Sequence, residues 1–83
     1  MNLMSQNREK IINMNSLCEI EIGKVYGVND EINIVKQYII SGKNSNLTTE
    51  LGIYKTLDRA QEILNDIYAK LSENKLVYKM PKE

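Results

Sequence analysis

The sequence predicts an α+β domain: an antiparallel meander of about five strands packed on one long C-terminal helix, with a short terminal strand after it. Three observations predict this fold. Through the first half of the chain Ile and Val recur in short runs divided by turn formers. Further on, Ala60, Ile63, Leu64, Ile67, Tyr68 and Leu71 recur at intervals of three and four, the spacing of one helical face. Between them, a strand ending in Gly52-Ile53-Tyr54 runs through Thr56 directly into that helix.

In chain order, Leu3 to Gln6 and Lys10 to Met14 flank the polar turn Asn7-Arg8-Glu9 and read as a hairpin. Glu19-Ile20-Glu21-Ile22 alternates strictly, placing two isoleucines on one face and two glutamates on the other, as a half-buried strand requires. Val25-Tyr26-Gly27-Val28 continues it past a kink expected at Gly23, and Asn29-Asp30 reads as a turn. Glu31 to Ile40 is the next strand, and Gly42 to Asn46 a polar loop. Leu47, Thr49, Leu51 and Ile53 then share one strand face. The helix opens at Thr56, whose hydroxyl can accept from first-turn amides, with Asp58 complementing the positive end of the macrodipole. Lys70 and Lys75 suit its other end, Asn74 terminates it, and Leu76-Val77-Tyr78 forms the short strand before Pro81.

The 83 residues make a single domain, 1–83. A chain of this size buries only about 60–65% of the surface that its unfolded form exposes. Eleven basic and eleven acidic residues cancel. That balance removes the broad positive field which non-specific nucleic-acid binding needs. No segment is apolar enough to cross a bilayer, and the opening Met1-Asn2-Leu3-Met4-Ser5-Gln6-Asn7 lacks the apolar core of a signal peptide, so a cytoplasmic setting is expected. Cys18 is the only cysteine, which agrees with a reducing compartment and is read as a buried small hydrophobe. In the strand from Glu31 to Ile40, Ile34, Tyr38 and Ile40 fall on one face, Val35 and Ile39 on the other. One helix covers one face only, so a homo-oligomer is expected to bury the second.

Most catalytic chemistry finds no partners here. With no histidine and one cysteine, a zinc site lacks ligands and a catalytic triad its base, and no metal or cofactor is expected. Gly23-Lys24 and Gly42-Lys43 lack the spaced glycine and following Ser or Thr of a phosphate loop. Glu19 and Glu21 at alternate strand positions are ordinary solubilising residues. Two constellations remain. Lys55, Thr56 and Arg59 stand at a helix start, where amides and cationic side chains can hold a phosphate or carboxylate. The plainer reading is that Thr56 only caps the helix while Arg59 pairs with Glu62, and Asp58 repels an anion. The second is the tyrosine set, whose rings can stack on a base or anchor an interface. Tyr68 falls on the helix's apolar face and is read as core. Tyr54, of opposite parity to Leu51 and Ile53, is the better surface contact, with Tyr26 as a further candidate. Arg8 and Lys43 are conceivable contributors from polar loops.

Met4-Ser5-Gln6, Ile11-Ile12-Asn13, Leu51-Gly52-Ile53-Tyr54-Lys55-Thr56 with Arg59-Ala60-Gln61-Glu62-Ile63-Leu64, and Tyr78-Lys79-Met80-Pro81 together resemble a family of small uncharacterised proteins from low-GC Gram-positive bacteria and their phages and prophages. The family often carries an Asp-Gly turn after its Ser-Gln, where this chain has Asn7-Arg8-Glu9. The resemblance brings no activity to any residue. It implies a phage or mobile-element setting within a host cytosol, where proteins of this size commonly neutralise host defence components.

The expected function is therefore non-enzymatic: stoichiometric sequestration by a small homo-oligomer. Its target is either a host defence protein or, alternatively, a cyclic or other nucleotide second messenger trapped at a subunit interface by Lys55, Arg59 and a stacked tyrosine. A phage structural or accessory subunit is a third possibility.

Overall fold

The computed structural model describes residues 1–26 and 35–83. The architecture is α+β, with six strands among the described residues in two three-stranded sheets, and one 16-residue α-helix. The expected single meander is thus divided. Strands β1 (Asn2–Met4) and β2 (Ile11–Asn13) form the antiparallel hairpin that the sequence suggests. The last strand, β6 (Val77–Lys79), returns after the helix to pair with β1 in parallel, giving the order β2-β1-β6. A segment distant in sequence completes this small sheet, which is why turn spacing alone points to one meander.

The hairpin turn is built by side chains. Ser5, nearly fully buried, donates from Oγ to Asn7 Oδ1 at 2.7 Å and accepts from the Lys10 amide at 3.1 Å. Arg8 takes a left-handed conformation, φ 65°, at the place where an Asp-Gly turn would put its glycine.

The larger sheet is a true antiparallel meander of β3 (Glu19–Tyr26), β4 (Val35–Lys43) and β5 (Thr48–Tyr54). Its inner face carries Ile20, Ile22, Tyr38 and Ile40 toward the core, as the alternation of β3 predicts. Gly23 makes no kink: it pairs in register with Ile39, and the irregularity falls between Val25 and Tyr26. Strand β4 runs on to Lys43, into the first two residues of the expected loop. Gly42 allows this, since a Cβ there would stand 2.7 Å from Leu17 Cδ1. The loop shrinks to a turn in which Asn44 Oδ1 accepts from the amides of Asn46 and Leu47 at 2.9 and 2.8 Å. The continuation at Gly27-Val28, the turn at Asn29-Asp30 and the strand start at Glu31 to Ile34 lie outside the described residues.

A bulge in β5 changes which side chains face inward. Ile40 pairs with Gly52 while Ser41 pairs with Glu50, leaving Leu51 as the extra residue. Leu51 and Tyr54, three apart and of opposite parity, are therefore both buried. The surface position expected for Tyr54 is corrected accordingly: its ring belongs to the core.

Helix α1 (Leu57–Ser72) starts and stops where its caps dictate. Thr56 Oγ1 accepts from the Arg59 amide at 3.1 Å. At the other end Asn74 adopts φ 58°, while the amides of Asn74 and Lys75 donate to Leu71 O and Lys70 O at 3.1 Å each. The helix buries Ala60, Ile63 and Ile67. They join Leu3, Ile40, Leu51, Tyr54, Tyr78 and Met80 in the core between the sheets and the helix. Tyr68, expected in this core, is 73% exposed, because the apolar face of the helix is wider than the arc covered. Cys18, expected to be buried, is exposed just before β3.

Candidate functional site

The end of β5, the first turn of α1 and the residues after β6 enclose a cleft of about 400 Å³. Its lining includes Tyr54, Lys55, Thr56 and Arg59, brought together because the strand passes into the helix through a single capped turn. Gln37, Ile53, Lys82 and Glu83 also line it. Tyr26 does not line this cleft; it stands opposite Val35 on β3, 51% exposed. Lys43 is also elsewhere, with its ammonium 2.7 Å from Glu21, whose hydrogen bond and charge raise its pKa.

The feature that sequence reasoning missed is the tail. Four successive main-chain oxygens, from Met80 to Glu83, each accept from a different side chain. Arg8 Nη1 donates to Met80 O at 2.9 Å and Tyr54 Oη to Pro81 O at 2.7 Å. Gln6 Nε2 donates to Lys82 O at 2.9 Å and Arg59 Nε to Glu83 O at 2.8 Å. Gln6 also reaches β5: its Oε1 accepts from the Ile53 amide at 2.7 Å and its Nε2 donates to Ile53 O at 2.9 Å. These bonds join residues 24 to 76 positions apart, so no local pattern announces them. A buried turn serine followed by a glutamine is their only trace in the sequence.

This arrangement narrows the chemistry. The Tyr54 hydroxyl is committed to Pro81 and its ring is covered, so it offers no open stacking face. Burial pushes its pKa up to about 12, against the opposing pull of Arg59 and Arg8. Arg59 divides its guanidinium between Glu83 O and a 3.9 Å ion pair with Glu62, the plainer pairing that the sequence suggests. Among the described residues, Lys55, Arg59 and Lys82 give the cleft three cationic side chains beside the acidic side chain of Glu83.

Arg59 also lines a wider groove of about 490 Å³ with Glu62, Ile63, Asn65, Asp66, Tyr78 and Pro81. Within it Tyr78 Oη donates to Asp66 Oδ2 at 2.9 Å, and burial, with that bond, raises the Tyr78 pKa. Among the described residues, no cluster of three or more His, Cys, Asp and Glu that could hold a metal is present, and no helix is long and apolar enough to cross a membrane. No protein-family model, curated protein or solved structure matches the chain.

Proposed function

We propose that this is a non-enzymatic binding protein of a phage or prophage, acting in the host cytosol as a small homo-oligomer that sequesters a host defence protein stoichiometrically. The observation that carries this reading is the outer face of the small sheet, where Ile11 and Val77 stand exposed. Leu3 and Tyr78 point into the core, so their neighbours Met4, Ile11 and Val77 point away from it. Ile11 is 67% exposed and Val77 56%, and Leu76, just before β6, is 82% exposed. This face, on which Met4, Ile11 and Val77 stand among Asn2, Asn13 and Lys79 and which is bounded by two edge strands, β2 and β6, is suited to a protein partner. The test is plaque formation on cells carrying a defence system, with and without the protein. Wild type restores plaques and Ile11→Asp/Val77→Asp does not, although its circular dichroism is unchanged. A double variant that restores plaques fully would remove the reading.

A second reading, sequestration of a nucleotide signal, is favoured by the cationic cleft of Lys55, Arg59 and Lys82 beside the capped start of α1. Protein purified from a host with active defence, then denatured, would release a stoichiometric nucleotide detectable by mass spectrometry. Lys55→Ala would reduce the yield. A supernatant without nucleotide eliminates this second reading.

A further inference from the structure

We propose that α1 is the interface of a two-fold symmetric homodimer, packed antiparallel against the same helix of a second copy with Leu64 at the axis. The inference rests on the homo-oligomeric part of the reading above and assigns it a surface. At 100° per residue, Leu57, Gln61, Leu64, Tyr68 and Leu71 fall within roughly 80° of one another. This arc lies directly beside the buried arc of Ala60, Ile63 and Ile67. Leu57 is 46% exposed, Tyr68 73% and Leu71 44%, so the helix presents a second apolar stripe to solvent.

The stripe has the composition of an interface core. Its outer shoulder carries Asn65 and Ser72, both uncharged, and Gln61 Nε2 donates to Asn65 Oδ1 at 3.2 Å. Of the charged residues of α1 and its C-cap, Asp58 lies roughly 100° from its centre and Arg59, Glu62, Asp66, Lys70 and Glu73 all lie roughly 140° or more from it. Depletion of charge around exposed Leu and Tyr distinguishes interface cores from ordinary surface.

Its spacing selects a second copy as the occupant. Leu57, Leu64 and Leu71 are separated by seven and seven, the repeat that keeps a seam facing a partner helix. Reversal about Leu64 maps Leu57 onto Leu71 and Leu64 onto itself, which is the self-complementarity that an isologous contact demands. The antiparallel arrangement also opposes the two macrodipoles. Beside Leu71, onto which the reversal brings Leu57 of the other copy, lies a hollow of about 240 Å³ lined by Met14, Leu17 and Ile20 and, at its polar side, by Asn15, Cys18 and Glu19. The leucine enters that hollow as a knob enters a hole.

Sedimentation equilibrium over 1–100 μM, joined to disulfide trapping in a Cys18→Ser background, tests this. Wild type sediments at twice its 9.6 kDa chain mass. Tyr68→Glu, a charge at an exposed site, raises the dimer dissociation constant at least tenfold. On oxidation, Leu64→Cys forms a covalent dimer, and Leu57→Cys mixed with Leu71→Cys forms the mixed disulfide. Leu57→Cys alone does not, because the two-fold holds its copies about 20 Å apart. If Tyr68→Glu fails to fold, trapping decides. A dimer that gives no 57–71 disulfide overturns this interface while leaving homo-oligomerisation standing. A wild-type monomer at 100 μM overturns both.

Discussion

The Tyr54 side chain lies back across Gly52: a Cβ added to Gly52 would stand 2.6 Å from the Tyr54 hydroxyl and 2.8 Å from Cε2. The hydroxyl cannot yield, since it is held to Pro81 O at 2.7 Å in a ring that is 2% exposed. Gly52→Ala is therefore expected to destabilise by about 1–3 kcal/mol, the usual cost of overpacking a tight core. Urea denaturation measures it. Gly52→Ala combined with Tyr54→Leu should cost less than the sum of the two, because the clash vanishes with the ring.

Gln6 behaves as a short strand made of one side chain, its amide group pairing with both main-chain groups of Ile53. Gln6→Ala leaves that amide and carbonyl without protein partners and releases Lys82 O, with an expected cost of about 2–3 kcal/mol. Gln6→Glu discriminates the mechanism. A carboxylate can still accept from the Ile53 amide but cannot donate to Ile53 O or Lys82 O, so it should not restore stability at pH 7. Recovery of wild-type stability by Gln6→Glu would show that only the amide contact matters.

Which of these relationships the sequence reveals depends on their range. The caps of α1, Thr56 and Asn74, act within a few residues and are legible, as is the alternation of β3. The bulge at Leu51 is set by pairing with Ile40 and Ser41, so the apparent parity of Leu51, Ile53 and Tyr54 misleads and assigns Tyr54 to the surface. The spacing of the helix gives an apolar face but not which part is covered, and Tyr68 falls on the open part. Lys55, Thr56 and Arg59 are neighbours along the chain and meet at the cleft for that reason, whereas Lys82 reaches it only through the tail clamp.

Arg8 combines a cost and a gain that substitution can separate. Its φ of 65° disfavours a side chain by roughly 1–2 kcal/mol relative to glycine. Its guanidinium meanwhile holds Met80 O at 2.9 Å. Arg8→Gly exchanges one for the other and is expected to change stability by less than about 1 kcal/mol, as near-equal opposing effects require. Arg8→Ala loses the bond and keeps the strain. Thermal denaturation should place Arg8→Ala below Arg8→Gly; the reverse order would mean that φ at this turn carries no energetic weight.

The buried tyrosines make stability fall at high pH, and Tyr54→Phe isolates one share of that effect. Burial raises Tyr54 from its ordinary 10 to about 12, and Tyr78, held to Asp66, is raised as well. A folded-state pKa above the unfolded one means that the neutral hydroxyl contributes fully below about pH 10, and that this contribution is lost as pH climbs through 12. At pH 8, Tyr54→Phe lacks the bond to Pro81 O and should be less stable than wild type by about 0.5–1.5 kcal/mol. Phenylalanine has no proton to lose, so the gap narrows from pH 10 upward, by about 1.4 kcal/mol per pH unit, and wild type loses its advantage between about pH 10 and pH 11. Urea midpoints for both proteins at pH 8, 10, 11 and 12 measure the crossing. A constant gap would mean that the Tyr54 hydroxyl ionises equally well in the folded and unfolded chain, which a ring buried against Gly52 and bonded to Pro81 does not permit.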